Sequence, residues 1–251
     1  MEQKQVYDFP TEEVDLPSKG LIYPSSNPLA SGKVTMRYMT TRDEDTLTNP
    51  NYIENGTVID KLLKSLIVDK NVNYDDIIVG DKDAIMIAAR IMGYGKDYSI
   101  IHKGKEVVVD LSKVDSKPLE DANFVKGKNE FSFTLPKTGT EIKYKLLNNH
   151  DEKKIQAELK GLKKINPEES HEISTRLKFM ILSIGDETDP IKIRKYVDNQ
   201  LLAMESKALR DYIKKTQPGV NFTYKTEGKN GIEEDINIPI TTNFFWPDSG
   251  I

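Results

Sequence analysis

Apolar positions along this chain change their period several times, and each change marks an element. Val34, Met36 and Tyr38 alternate with other residues and predict a short strand over 34–39. Thr41 and Glu44 have the spacing of a capping box, which predicts a helix of about two turns, ending near Leu47 before Asn49-Pro50. Val58, Ile59, Leu62, Leu63, Leu66 and Ile67 form one stripe of an amphipathic helix over 57–68. A further helix is predicted over 82–92, with Asp81 and Asp83 suited to its N-terminus and Gly93 to its C′ position. Nearly every position from Ala84 to Met92 is apolar, so this helix is expected to be the most buried. Leu62, Leu63, Leu66, Ile87 and Ile91 are the expected core of this half.

From 97 to 147 the period becomes two. Tyr98–His102 with Glu106–Leu111, and Phe131–Leu135 with Thr140–Leu147, read as two hairpins turning at Lys103-Gly104 and Lys137-Thr138-Gly139. The helical period returns from 151. Ile155, Leu159, Leu162 and Ile165 form one stripe, and Ile173, Leu177, Met180, Ile181 and Ile184 another. A third helix follows Asp189-Pro190, and a fourth near Ser206 ends at Gln217-Pro218-Gly219. A last hairpin, Val220–Lys225 with Ile232–Ile240, leads to the aromatic run Phe244-Phe245-Trp246-Pro247. Residues 1–33 hold four prolines and no fixed apolar period, which reads as an extended arm and not as a packed element. The expected organisation is therefore an arm (1–33), a helical block (34–96), a β-hairpin region (97–149), a second helical block (150–217) and a terminal hairpin with its aromatic tail (218–251). Helices and hairpins in blocks, not in alternation, make the class α+β.

Composition narrows the function more than the fold. The 251 residues are 37% hydrophobic and 30% charged, enough for a core, with 36 basic against 40 acidic side chains. A net charge of −4 argues against a duplex-binding protein, whose affinity comes mainly from cations on phosphate. The chain has no cysteine, which removes disulfides, thiolate nucleophiles and Cys-ligated zinc. No apolar run approaches a membrane span, and the first residues lack the apolar region of a signal peptide, so a soluble intracellular chain is expected.

A search for chemistry finds no catalytic constellation. None of the three histidines, at 102, 150 and 171, has another histidine one helical turn away to share a metal. His150-Asp151-Glu152 reads as the acidic start of a helix, the competing role being a ligand cluster. Gly93-Tyr94-Gly95-Lys96 ends a helix where a phosphate loop would begin one, and Asp97 replaces the hydroxyl that a P-loop needs. The adjacent acids at 43–45, 75–76 and 233–235 read as solvated charge, and the lysines of 153–164 as a solvated helix face interleaved with acids. No enzyme, cofactor, metal or small-molecule substrate is expected. What remains is surface for partners. Aromatic residues are enriched at interface hot spots, yet a tail such as Phe244-Phe245-Trp246 can equally fold back to close its own core. Leu21, Tyr23, Phe244, Phe245 and Trp246 are the candidate partner-binding residues, because they lie outside the periodic helical blocks.

The run Leu16-Pro17-Ser18-Lys19-Gly20-Leu21-Ile22-Tyr23-Pro24, followed by Gly32–Thr40, resembles the opening of baseplate hub proteins from contractile-tailed bacteriophages of the T-even type. The resemblance continues, in order, through Glu44–Asn49, Asn55–Asp60, Val79–Asp83, Arg90–Gly95, Phe133–Pro136, Lys145–Leu147, Asp151–Lys153, Leu209-Arg210 and Phe244–Pro247. It implies a structural or assembly component of the tail baseplate hub, working through contacts with other hub proteins, in the host cytoplasm during assembly and in the virion tail if retained. A transient assembly factor absent from the mature virion is the alternative it allows. Members of that family often carry Cys-x-x-Cys pairs that imply a zinc ribbon. Here the corresponding hairpins have Lys103-Gly104-Lys105 and Glu227-Gly228-Lys229-Asn230, so no zinc role carries over.

Overall fold

Residues 9–120, 124–227, 233–240 and 244–245 are described by a computed structural model. The N-terminal segment departs most from expectation, because it is packed and not a free arm. Strand β1 (Thr11–Asp15) pairs antiparallel with β2 (Lys33–Arg37), placing Val14 opposite Val34. Between them Leu16, Ile22, Tyr23 and Leu29 are buried in the core. Proline removes helix as an option but not burial. The segment meets its backbone needs by successive turns, with N–H groups of Lys19 and Leu21 donating to the carbonyls of Leu16 and Ser18 at 2.8 and 3.0 Å. Gly20, at φ +74°, lets the loop close on itself, since a Cβ there would lie 2.6 Å from the Ala30 carbonyl oxygen and the Gly32 nitrogen.

Helix α1 (Thr41–Leu47) begins one residue earlier in register than the capping box predicted. Its N-cap is Thr40, whose N–H and hydroxyl both donate to Asp43, at 2.8 and 2.9 Å. Helices α2 (Pro50–Glu54) and α3 (Val58–Leu66) follow, and Leu62, Leu63 and Leu66 are fully buried. The next helix, α4 (Val79–Tyr94), is longer than expected at both ends. Gly95, with φ +82°, is its cap; Gly93 belongs to the last turn, where the Met39 sulfur packs on it. Ile87 is buried, whereas Ile91 is half-buried against the core. Hairpins β3–β4 (Asp97–His102, Lys105–Asp110) and β5–β6 (Phe131–Thr134, Glu141–Tyr144) form where the alternation placed them.

In the second helical block α5 (Asn149–Ile165) is followed by α6 (Glu172–Met180). The stripe that ran on to Ile184 does not stay helical. Ile181–Ile184 is a strand, β7, which pairs antiparallel with β6 and completes a three-stranded sheet in the order β5-β6-β7. Helices α7 (Pro190–Asn199) and α8 (Ala203–Thr216) and the hairpin β8–β9 (Thr223–Glu227, Glu233–Asn237) end the fold. Helices in blocks around several small antiparallel sheets give the α+β class. One hydrophobic cluster runs through every one of these segments, from Leu16 to Phe245, so the blocks share a core.

Candidate functional site

The residues nominated from sequence for partner contact divide on inspection. Tyr23, Phe244 and Phe245 are buried within the chain's own core, so the tail folds back and the expectation of exposed anchors fails for these three. The Phe244 ring meets those of Tyr98 and Phe245 edge-on, each with centroids 5.2 Å apart. Such rings bury large apolar area wherever the chain can reach it, and extended segments reach it as well as helices do. Leu21 is half-buried, and its carbonyl accepts from the Gly127 N–H at 2.7 Å. Trp246 lies outside the described residues.

What the N-terminal segment packs against is a buried acid. Asp81, in the first turn of α4, is fully buried and has no ion-pair partner among the described residues. Its carboxylate accepts from the Ser18 N–H (2.8 Å), the Ser18 hydroxyl (2.7 Å) and the Tyr23 hydroxyl (2.7 Å). The Tyr23 oxygen in turn accepts from the Ile78 N–H at 3.1 Å. Burial pushes the Asp81 carboxyl above its ordinary range, and the Ser18 and Tyr23 hydrogen bonds pull the other way. Burial, then the neighbouring Asp81 charge, likewise raises Tyr23, so its proton stays in place as a donor. The assembly acts as a latch: two side chains from residues 16–24 hold the start of α4 across more than fifty residues of sequence.

A second latch closes the other end of α4. Arg90 is buried with no carboxylate partner among the described residues, and its guanidinium donates to the carbonyls of Gly95 (2.9 Å) and Asp97 (3.3 Å) between the rings of Tyr94 and Tyr98. Burial lowers its affinity for the proton, while carbonyls at a helix C-terminus favour a cation there. His150 is exposed on the first turn of α5, where Asp151 and not His150 makes the cap: the Asp151 carboxylate accepts from the Asn148 N–H at 3.3 Å and pairs with Lys145 at 2.7 Å. Among the described residues, no group of three or more His, Asp or Glu is placed to hold a metal ion.

A groove of about 1010 Å³ has α3 and α4 on one wall and α5 and α6 on the other. Ile59, Val79 and Leu159 supply apolar floor. Most of its charges are satisfied within the chain. Lys82 pairs with Asp60 (2.6 Å), Lys153 with Asp75, and Arg176 with Glu152 and Glu172 (2.6 Å each). Lys160 and Lys163 line the same groove and take part in no ion pair among the described residues. Asp83 lies there too, in no ion pair among the described residues, and burial carries its carboxyl up to about 6 against the pull of nearby Lys82 and Lys117. Asn149, at the start of α5, is 1% exposed; its amide N–H donates to the Tyr74 carbonyl (2.8 Å), and its Oδ1 is buried with no partner. Sequence reading passed over this region because each lysine of α5 looked interleaved with acids, and only the fold shows which acids point elsewhere. Comparison with protein-family models, curated proteins and solved structures finds no match to this chain.

Proposed function

We propose that the chain is a structural or assembly component of the baseplate hub of a contractile bacteriophage tail, acting through protein–protein contacts and not as an enzyme. The observation that carries this reading is the ordered set of motifs resembling hub proteins, from Leu16–Pro24 to Phe244-Phe245. The way these motifs meet in the fold supports it. Leu16–Pro24 and Val79–Asp83, far apart in sequence, join through Ser18, Tyr23 and Asp81. Lys145 and Asp151, from two further motifs, form an ion pair at 2.7 Å. A buried carboxylate loses stability when any of its donors is lost, so Ser18, Tyr23 and Asp81 serve the architecture of the chain. No helix of the described residues is long and apolar enough to cross a membrane. On this reading the chain works in the host cytoplasm during assembly and in the tail baseplate if it is retained. Quantitative mass spectrometry of purified virions tests it. Stoichiometric recovery identifies a structural subunit, and loss of hub assembly in a deletion strain without recovery in virions identifies an assembly factor. Normal tails from the deletion strain would overturn both.

A further inference from the structure

We infer that a second, smaller pocket binds the free C-terminal carboxylate of a polypeptide that ends in a large apolar residue. It has a volume of about 230 Å³ and lies where the start of α4 meets the ends of α6 and α8. Gly80 and Pro218 both line it and touch there, since a Cβ on Gly80 would lie 2.0 Å from the Pro218 carbonyl oxygen. The lining is mostly apolar: Ile78, Leu146, Leu147 and Ile213 are buried and Met180 is half-buried. Its charges do not balance. Glu152 and Arg176 cancel each other at 2.6 Å, whereas Arg210 and Lys214 take part in no ion pair among the described residues. The helix dipole accounts for a lysine in the last turn of α8, but Arg210 stands more than a turn before the end of that helix. Arg210, Ile213, Lys214 and Gln217 follow at the spacing of one helix face, which brings two cations, an apolar side chain and an amide to the same opening.

Unpaired cations over an apolar floor suit one anionic group carried on an apolar body. A guanidinium matches a carboxylate with two parallel hydrogen bonds, and the lysine adds a third donor. The Gln217 side chain makes no hydrogen bond with a described residue, so its oxygen is available to accept an N–H beside that carboxylate. The last residue of a polypeptide carries all three parts, a carboxylate, an apolar side chain and an amide N–H, within the span of one residue. A free phosphate would leave the apolar floor uncovered, and an Asp or Glu side chain brings no apolar group of its own. A long fatty acid exceeds the volume and has no N–H for Gln217. This assignment rests on the pocket's own residues and not on the hub reading, which virion composition tests separately.

The probe is a short peptide ending in leucine with a free carboxylate and a dye at its N-terminus, titrated with the whole chain by fluorescence anisotropy. Its affinity should be at least about tenfold tighter than that of the same peptide amidated at its C-terminus, the loss expected for one charged hydrogen bond. Ending the peptide in serine should weaken it similarly, because the apolar floor is then left empty. The double variant Arg210→Gln, Lys214→Gln changes only exposed side chains. It should bring the free acid down to the level of the amide with the melting temperature unchanged. Equal binding of acid and amide by the wild-type chain, or binding of neither, overturns the proposal whatever the variant does. So does an undiminished preference for the acid in the folded variant. Displacement of the peptide by octanoate as readily as by unlabelled peptide also overturns it, because a free carboxylic acid would then be the occupant.

Discussion

Asp43 and Asp81 are both buried acids near the start of a helix, and their surroundings send them in opposite directions. At Asp43 burial raises the carboxyl, but the Arg37 guanidinium, bidentate at 2.7 and 2.8 Å, and the Thr40 donors outweigh it and hold the group at about 2. A depressed carboxyl contributes stability that is fully present above its unfolded value and is lost as pH falls through the folded one. Asp43→Asn should therefore destabilise the chain at pH 7 by ~1.5–3 kcal/mol, the range for hydrogen bonds to a charged group. The gap from wild type should narrow between about pH 4 and about pH 2, measured by urea titration at each pH. Asp81 has the reverse sign. With its folded value raised, ionisation opposes folding, so its contribution falls as pH rises from the unfolded value through the folded one, and is constant above. Asp81→Asn should flatten that part of the stability profile, although its amide cannot accept from three donors as the carboxylate does. Leu63, fully buried, is simpler: Leu63→Ala should cost ~2–5 kcal/mol and lower the melting temperature.

Among the elements, the helices with one clear apolar stripe were legible from sequence, and those ended by tertiary pairing were not. The α3 stripe predicted its buried leucines because a short amphipathic helix has one way to face a core. Ile181–Ile184 continued a helical period by chance, and its β-branched residues became β7 because an open edge of β6 was available to it. Ile165, counted in the α5 stripe, is left exposed, since α5 runs past the end of the core that Ile155 enters. The C-terminal aromatics carried two readings of equal standing in sequence, and the packing of Phe244 on Tyr98 decides between them for the described residues. Phe245→Ala should accordingly cost ~3–5 kcal/mol in the isolated chain. Differential scanning calorimetry checks this, and an unchanged transition would return Phe245 to the list of partner contacts.

For the molecule as a whole, the sequence predicted the class and most of the element order, but it divided into five blocks a chain that has one core. Period and composition report local structure, whereas the links from Tyr23 to Asp81 and from Tyr98 to Phe244 have no local signature. The candidate groove was illegible for the same reason: α3 and α4 on one side and α5 and α6 on the other become walls only after folding. Removing residues 1–24 should thus act on the entire fold, not on an appendage. It strips Leu16, Ile22 and Tyr23 from the core and leaves the Asp81 carboxylate without all three donors. The expected outcome, by circular dichroism, is loss of the cooperative melt.

The Asp81 latch also bears on the order of events during folding. Its hydrogen bonds join residues 58 and 63 positions apart, and the Tyr98 hydroxyl reaches the Pro239 carbonyl across 141. Local helices form quickly, while contacts that close long loops must first overcome the loss of chain entropy. Until Ser18 and Tyr23 arrive, Asp81 keeps its water, and the first turn of α4 cannot enter an apolar interior. Burial of that turn therefore waits on the loop closure that brings Ser18 and Tyr23 to it, and a chain lacking that closure keeps a hydrated carboxylate where the folded molecule has its centre.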